Sequence, residues 1–251
     1  MIRAILFDMD GVLVQNEKLK ALSVAMAVQR LRGLPDPDPE GIEAYRDKVG
    51  ASREVVSRHI VEELGLEADL RPLMSEYGAS ETWEVLGAMR RGIYDKMVAD
   101  PQVVRDNQWP HTVELLRVAK KNLCRTGLAT LSARAEALHF VRALGLEETL
   151  DVVLAREDVT RGKPDPEIYF LAATKLDVRP QECVVVEDSA NGVRAGLAAG
   201  MNVVAFGTPF TIASLHSAQL VEDRWIVHDP DKLADVVQRS IDEHNLRGEG
   251  R

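Results

Sequence analysis

Six short apolar runs, bounded by turn residues and free of polar alternation, recur along the chain. They lie at Ile2–Phe7, Cys124–Ala129, Leu150–Ala155, Cys183–Val186, Val203–Phe206 and Trp225–Val227. A strand with one wet face alternates apolar and polar residues; a strand buried on both faces does not. Helical patterns fill the gaps, at Pro110–Lys121, Ala133–Leu144, Pro166–Leu176, Ala190–Ala199 and Asp231–His244. Pro166 suits a first helical turn, and Gly145 and Gly200 suit positions just past a helix end. Strands alternating with helices predict an α/β fold built on a doubly wound, Rossmann-like parallel sheet.

One stretch breaks the rhythm. Between residues 16 and 103 the periodicity is helical throughout, at Glu17–Leu31, Glu40–Val49, Arg53–Leu64 and a long stretch around Leu73–Val98, with Pro35, Pro37 and Pro39 separating the first two. The expected organisation is an α/β core from residues 1–15 and 104–251, with residues 16–103 inserted as an all-helical cap domain. The net charge of -9 argues against nucleic-acid or anionic-membrane partners, which bind basic patches. No apolar run approaches the ~18 residues of a membrane span. Asp8 and Asp10 end the N-terminal run before a signal-peptide core forms. A cytoplasmic monomer is expected. Cys124 and Cys183 each sit in an apolar run and read as buried thiols. The six histidines show no zinc-ligand spacing, and Trp83, Tyr94 and Trp109 read as core aromatics.

Two of the strands end in paired acids. Asp8 and Asp10 follow the first, and Glu187-Asp188 ends Val184-Val185-Val186. In open α/β sheets ligands bind at the carboxyl ends of the strands, so both pairs belong to one edge. Carboxylates gathered away from water repel at a cost of several kcal/mol unless a cation compensates, and Mg2+ takes oxygen ligands. The plain alternatives are a solvated turn for Asp8-Met9-Asp10 and a helix cap for Asp188 or Ser189. Capping leaves Glu187 unexplained. Gly11 permits a tight turn after the first pair. Lys163, in the loop Gly162-Lys163-Pro164-Asp165-Pro166, offers one cation, and Thr130 ends the strand Gly127–Thr130 with a hydroxyl.

Taken together, DMDGVL at Asp8–Leu13, the hydroxyl at Thr130, GKPDPEIY at Gly162–Tyr169 and VVVEDSANGVRAGLAAGM at Val184–Met201 resemble the haloacid dehalogenase-like phosphotransferases, in the superfamily's order and over essentially the whole chain. The resemblance implies that Asp8 attacks phosphorus and becomes an aspartyl-phosphate, with Asp10 as general acid and base. It implies Mg2+ held by Asp8, the Asp10 main-chain carbonyl and Asp188, with Glu187 beside it, and Lys163 and Thr130 on the transferring oxygens. Branches that are dehalogenases or phosphonatases lack the second acid, which is present here as Asp10.

The helical insert resembles the cap of the β-phosphoglucomutase-like branch, and Gly50-Ala51-Ser52-Arg53 resembles that branch's G-x-S-R segment. This makes Arg53 a candidate for a substrate's distal phosphate, a group suited to guanidinium; the plain alternative is Ser52 as an N-cap with Arg53 solvated. Ser132 and Arg134 are further candidates for substrate contacts. Lys20 stands where the mutases have a histidine. It is a candidate phosphate ligand and weakens the mutase reading. The expectation is a Mg2+-dependent phosphatase acting on a small phosphorylated metabolite, a sugar phosphate above all, with a sugar-phosphate mutase of the β-phosphoglucomutase type as runner-up. A phospho-acceptor signalling domain is a distant third, disfavoured by the insert and by Glu187-Asp188.

Overall fold

A computed structural model describes residues 1–122 and 124–249. In chain order, β1 (Ala4–Phe7) leads to α1 (Asn16–Arg32), α2 (Pro39–Arg46), α3 (Arg53–Glu63), α4 (Glu67–Leu70), α5 (Met74–Tyr77), α6 (Thr82–Val98) and α7 (Pro101–Asp106). Then follow α8 (Pro110–Lys121), β2 (Arg125–Ala129), α9 (Arg134–Ala143), β3 (Val152–Leu154), α10 (Glu167–Lys175), β4 (Cys183–Glu187), α11 (Ala190–Ala198), β5 (Asn202–Phe206), α12 (Ile212–Ala218), β6 (Ile226–Val227) and α13 (Leu233–Glu249). The chain divides into two compact units, Asn16–Val103 and the remainder on either side of it.

The larger unit holds a six-stranded sheet in the order β3-β2-β1-β4-β5-β6, with every pairing parallel. Strand order reverses at β1, the topological switch point of a doubly wound sheet. The apolar runs become strands because both faces are covered: every residue of β1 and β4 is buried. On one face Leu6 and Val185 pack in a common cluster with Ile168, Tyr169 and Ala172 of α10 and Val193 of α11.

Some boundaries differ from the sequence reading. The strand expected over Leu150–Ala155 is only Val152–Leu154, because the Asp151 carboxylate turns to accept from the Thr126 amide at 2.9 Å and from Lys120 at 2.6 Å. Cys183 lies buried in β4, but Cys124 precedes β2 and is half-buried. Burial pushes the Cys124 thiol up to about 11 and Cys183 up to about 12, so both stay protonated. The last helix begins two residues later than expected and runs to Glu249, since Pro230–Lys232 forms a separate 3-10 turn capped by the Asp229 side chain.

In the helical unit, α1 packs on α2 and α6, and α3 packs on α6. The stretch around Leu73–Val98 is not continuous. Gly78 adopts φ +58° at the end of α5, a conformation that terminates a helix. The chain restarts as α6 when the Glu84 carboxylate accepts from the Ser80 and Glu81 amides at 2.7 and 3.1 Å. Tyr94 is buried in this unit and Trp83 half-buried. Among the described residues no helix is long and apolar enough to cross a membrane.

Candidate active site

The sheet register brings the acid pairs together. Phe7 pairs with Leu128 on one side and with Val186 on the other, so Asp8, Ala129-Thr130 and Glu187-Asp188 emerge at the same edge. The Asp8 amide donates to the Val186 carbonyl at 3.0 Å, extending the ladder one residue beyond β1. The chain then turns sharply: Leu13 and Val14 amides both donate to the Met9 carbonyl, at 2.9 and 3.1 Å, and Gly11 adopts φ +76°. A Cβ on Gly11 would lie 1.9 Å from Asp188 Oδ2. Glycine there supplies both the turn and the space that the Asp188 carboxylate occupies.

Lys163 reaches this edge from its loop with its side chain almost wholly buried. Its ammonium donates to Asp8 Oδ1 at 2.6 Å, Glu187 Oε1 at 2.5 Å and the Ala129 carbonyl at 2.8 Å. All three N–H bonds are therefore engaged. The loop is fixed behind it: the Glu167 carboxylate accepts from the Thr160 and Arg161 amides, each at 2.9 Å. Burial by itself would lower the Lys163 value, but Asp8 and Glu187 reverse this and hold it well above the ordinary lysine range, so the side chain stays charged.

Glu187 is fully buried and fully partnered. Oε1 also accepts from the Tyr169 hydroxyl at 2.8 Å, and Oε2 accepts from the Asp188 amide, the Ser189 amide and Ser189 Oγ at 3.1, 3.3 and 3.2 Å. The first turn of α11 fits closely over this carboxylate, and a Cβ on Gly192 would lie 1.9 Å from Glu187 Cδ. Ser189 caps α11, accepting from the Gly192 amide at 3.0 Å.

Asp8, Glu187 and Asp188 are buried and each offers one oxygen within 4.8 Å of the others, an arrangement that can hold a metal ion. Burial, partly opposed by Lys163 and reinforced by Glu187 and Asp10, raises the Asp8 carboxyl to about 7. Three clustered carboxyl groups, two of them on the Lys163 ammonium, form a site short of positive charge, which a divalent cation with oxygen ligands fits. Nearby, Asp10 Oδ2 accepts from Ser132 Oγ at 3.0 Å, and the Ser132 amide donates to Thr130 Oγ1 at 3.0 Å. Thr130 is buried, and its amide donates to the Leu154 carbonyl at 3.0 Å.

The other sequence candidates are placed differently. Arg134 is engaged with the segment after β3: its amide donates to the Glu157 carboxylate at 2.9 Å and its guanidinium pairs with Asp158 at 2.5 Å. Lys20 and Arg53 belong to the helical unit. There Lys20 Nζ donates to Glu17 Oε1 at 2.9 Å, and the Tyr45 hydroxyl donates to Glu17 Oε2 at 2.5 Å. Ser52 caps α3 by accepting from the Val55 amide at 3.3 Å, and Arg53 is exposed in the first turn. Tyr169 and Tyr45 are polar partners that sequence reasoning passed over, whereas Ser189, read there as a possible helix cap, caps α11 and also donates to Glu187 Oε2. Tyr169 lies within the Gly162–Tyr169 motif, but a tyrosine at the apolar spacing of a helix reads as core, and here it is core as well.

The six-stranded doubly wound sheet thus brings the acids and the buried lysine together at its switch point. The haloacid dehalogenase-like hydrolase family matches residues 2–200, and the chain belongs to that family, as a phosphatase. A phosphorylated carbohydrates phosphatase of Thermotoga maritima is 32% identical over 199 residues, covering 79% of this chain and 82% of that protein. A validoxylamine A 7'-phosphate phosphatase of Streptomyces hygroscopicus subsp. limoneus is 29% identical, covering 90% of this chain and 97% of its own. Among solved structures, a putative β-phosphoglucomutase of Thermotoga maritima superposes with a TM-score of 0.65 at 26% identity, covering 95% of this chain and 99% of that one.

Proposed function

We propose that the protein is a Mg2+-dependent phosphatase that hydrolyses a small phosphorylated metabolite, a sugar phosphate above all, through an aspartyl-phosphate on Asp8, working as a cytoplasmic monomer. The observation that supports this most is the contact of Lys163 with Asp8 Oδ1 at 2.6 Å beside the buried Asp8, Glu187 and Asp188 oxygens. The name of the Thermotoga maritima relative, a phosphatase of phosphorylated carbohydrates, favours a sugar-like substrate.

Asp8 would attack phosphorus with its free oxygen while Lys163 orients the carboxylate and offsets charge on the phosphoryl oxygens. Because all three Lys163 donors are engaged, a phosphoryl oxygen must replace one acceptor, and the neutral Ala129 carbonyl is the cheapest to release. Asp10, protonated at the outset, would give its proton to the leaving oxygen and then take a proton from water; Ser132, donating to Oδ2, orients the carboxyl group. The Thr130 hydroxyl, which accepts from the Ser132 amide, would give its own proton to an oxygen of the transferring group. A Mg2+ ion held by Asp8, Asp188 and the Asp10 carbonyl would supply charge neutralisation between the anionic nucleophile and the phosphate. Arg134, paired with Asp158, would have to leave that partner to touch substrate.

A panel of phosphorylated sugars with Mg2+, read by released phosphate, tests this. Hydrolysis gives one phosphate per substrate, and Asp8→Asn abolishes it. Interconversion of glucose 1- and 6-phosphates with a bisphosphate primer and no phosphate release would instead establish the mutase. Phosphate release undiminished in Asp8→Asn would sink both.

A further inference from the structure

Tyr169 is among the largest fully buried side chains of the chain, and its hydroxyl meets the same carboxylate oxygen that binds Lys163. Glu187 Oε1 accepts from Lys163 Nζ at 2.5 Å and from Tyr169 at 2.8 Å, while the Tyr169 ring centroid lies 5.1 Å from Nζ. The lysine is thus bounded by Asp8, Glu187 and the Ala129 carbonyl as acceptors and by an aromatic ring. Lys163 and Tyr169 stand six residues apart, one in the loop and one in the first turns of α10. Glu187 ends β4. The Tyr169–Glu187 bond therefore ties the lysine-bearing segment to the strand that presents Glu187 and Asp188.

We infer that Tyr169 is a positioning residue that acts on Lys163 through Glu187, an inference that rests on the phosphatase reading above. Two donors on one oxygen divide its charge. With Tyr169 in place, Glu187 Oε1 cannot rotate toward Lys163 alone, and the ammonium stays shared between Glu187 and Asp8. Without the hydroxyl, Oε1 has Lys163 as its only donor, the Glu187 pair tightens, and Lys163 draws away from Asp8. Oε2 cannot compensate, because it is committed to the Asp188 and Ser189 donors. Glu187 in this arrangement serves the lysine, and the close approach of Gly192 to its carboxylate keeps it from swinging elsewhere.

Tyr169→Phe keeps the ring and removes only the hydroxyl. With the best substrate of the panel, kcat is expected to fall about tenfold, with KM within about twofold, since Lys163 is needed most as charge moves in the transition state. The same substitution made on Glu187→Gln should change kcat less than about twofold, because the charge through which Tyr169 acts has gone. A residue that only filled the core would lower the melting temperature and leave kcat unmoved at temperatures well below it. A kcat within twofold of wild type, or an equal loss in both backgrounds, overturns the inference. If Glu187→Gln does not fold, the kcat and KM of Tyr169→Phe decide alone. If wild type hydrolyses nothing, the phosphatase reading falls, and the pair is read from melting temperatures: a loss on Tyr169→Phe in wild type as large as that on Glu187→Gln overturns the coupling.

Discussion

Asp8 makes a prediction that needs no substrate. Its carboxyl is raised from 3.8 to about 7, by burial first and by Glu187 and Asp10 next. An acid raised on folding holds its proton more tightly in the folded state, so between these two values the folded protein binds more protons than the unfolded chain. Stability then falls as pH rises through that window and levels off above it. A gap of roughly three pH units at about 1.4 kcal/mol each comes to about 4 kcal/mol, of which about 2.5 kcal/mol is lost between pH 5 and pH 8. Asp8→Asn keeps the volume and an acceptor for Lys163 but has nothing to ionise. Urea unfolding in a chelator, at pH 5 and pH 8, should show the variant gaining about 2.5 kcal/mol on wild type between the two. Adding Mg2+ should shrink that difference, since a bound cation favours the ionised carboxylate. Equal pH dependence of the two proteins in chelator would refute the reasoning, because it would mean that Asp8 ionises at no cost in the buried site.

The same site makes other expectations measurable. An ion that binds ionised Asp8 competes with its proton, so the apparent Mg2+ affinity should weaken by up to about tenfold per pH unit below 7, by calorimetric titration. Lys163→Met removes the ammonium and leaves Asp8 and Glu187 facing each other buried; a loss of about 3–5 kcal/mol in denaturant unfolding is expected, together with loss of phosphate release. Gly192→Ala places a Cβ against Glu187 and should lower both the melting temperature and kcat, whereas Gly92→Ala, in open space on α6, should stabilise by about 0.5–1 kcal/mol. Ser132→Ala should lower kcat through Asp10 while leaving the melting temperature within about 2 °C of wild type, since only one part-buried hydrogen bond is lost.

Much of this was legible in the residues. The unbroken apolarity of Ala4–Phe7 and Cys183–Val186 follows from burial on both faces, a local signal of a global fact, and so announced a parallel sheet. The acids at 8, 10, 187 and 188 were visible because each follows such a run directly. Boundaries were harder. The break in the Leu73–Val98 stretch depends on Gly78 in a left-handed conformation, and glycine marks many positions that do not end a helix. Leu150–Ala155 looked like a full strand because periodicity does not register a carboxylate that takes the neighbouring strand's Thr126 amide for itself.

Arg134 and Tyr169 show the limit most clearly. By position in the chain Arg134 sits four residues past Thr130 and was a fair candidate for substrate. In the fold its partners are Glu157 and Asp158, more than twenty residues downstream. Tyr169 carried no polar signal, since its neighbours in α10 are apolar, yet its hydroxyl reaches Glu187 across the core. What the chain determined by itself was the class of fold and the inventory of acids, because hydrophobic periodicity and strand ends are properties of nearby residues. What only the tertiary structure decided was who holds whom: Lys163 on Asp8 and Glu187, Ser132 on Asp10, Gly11 making room for Asp188. The hydrogen bonds among them join residues up to 155 positions apart, and these pairings arise from the parallel register of β1 against β2 and β4, which no local pattern encodes.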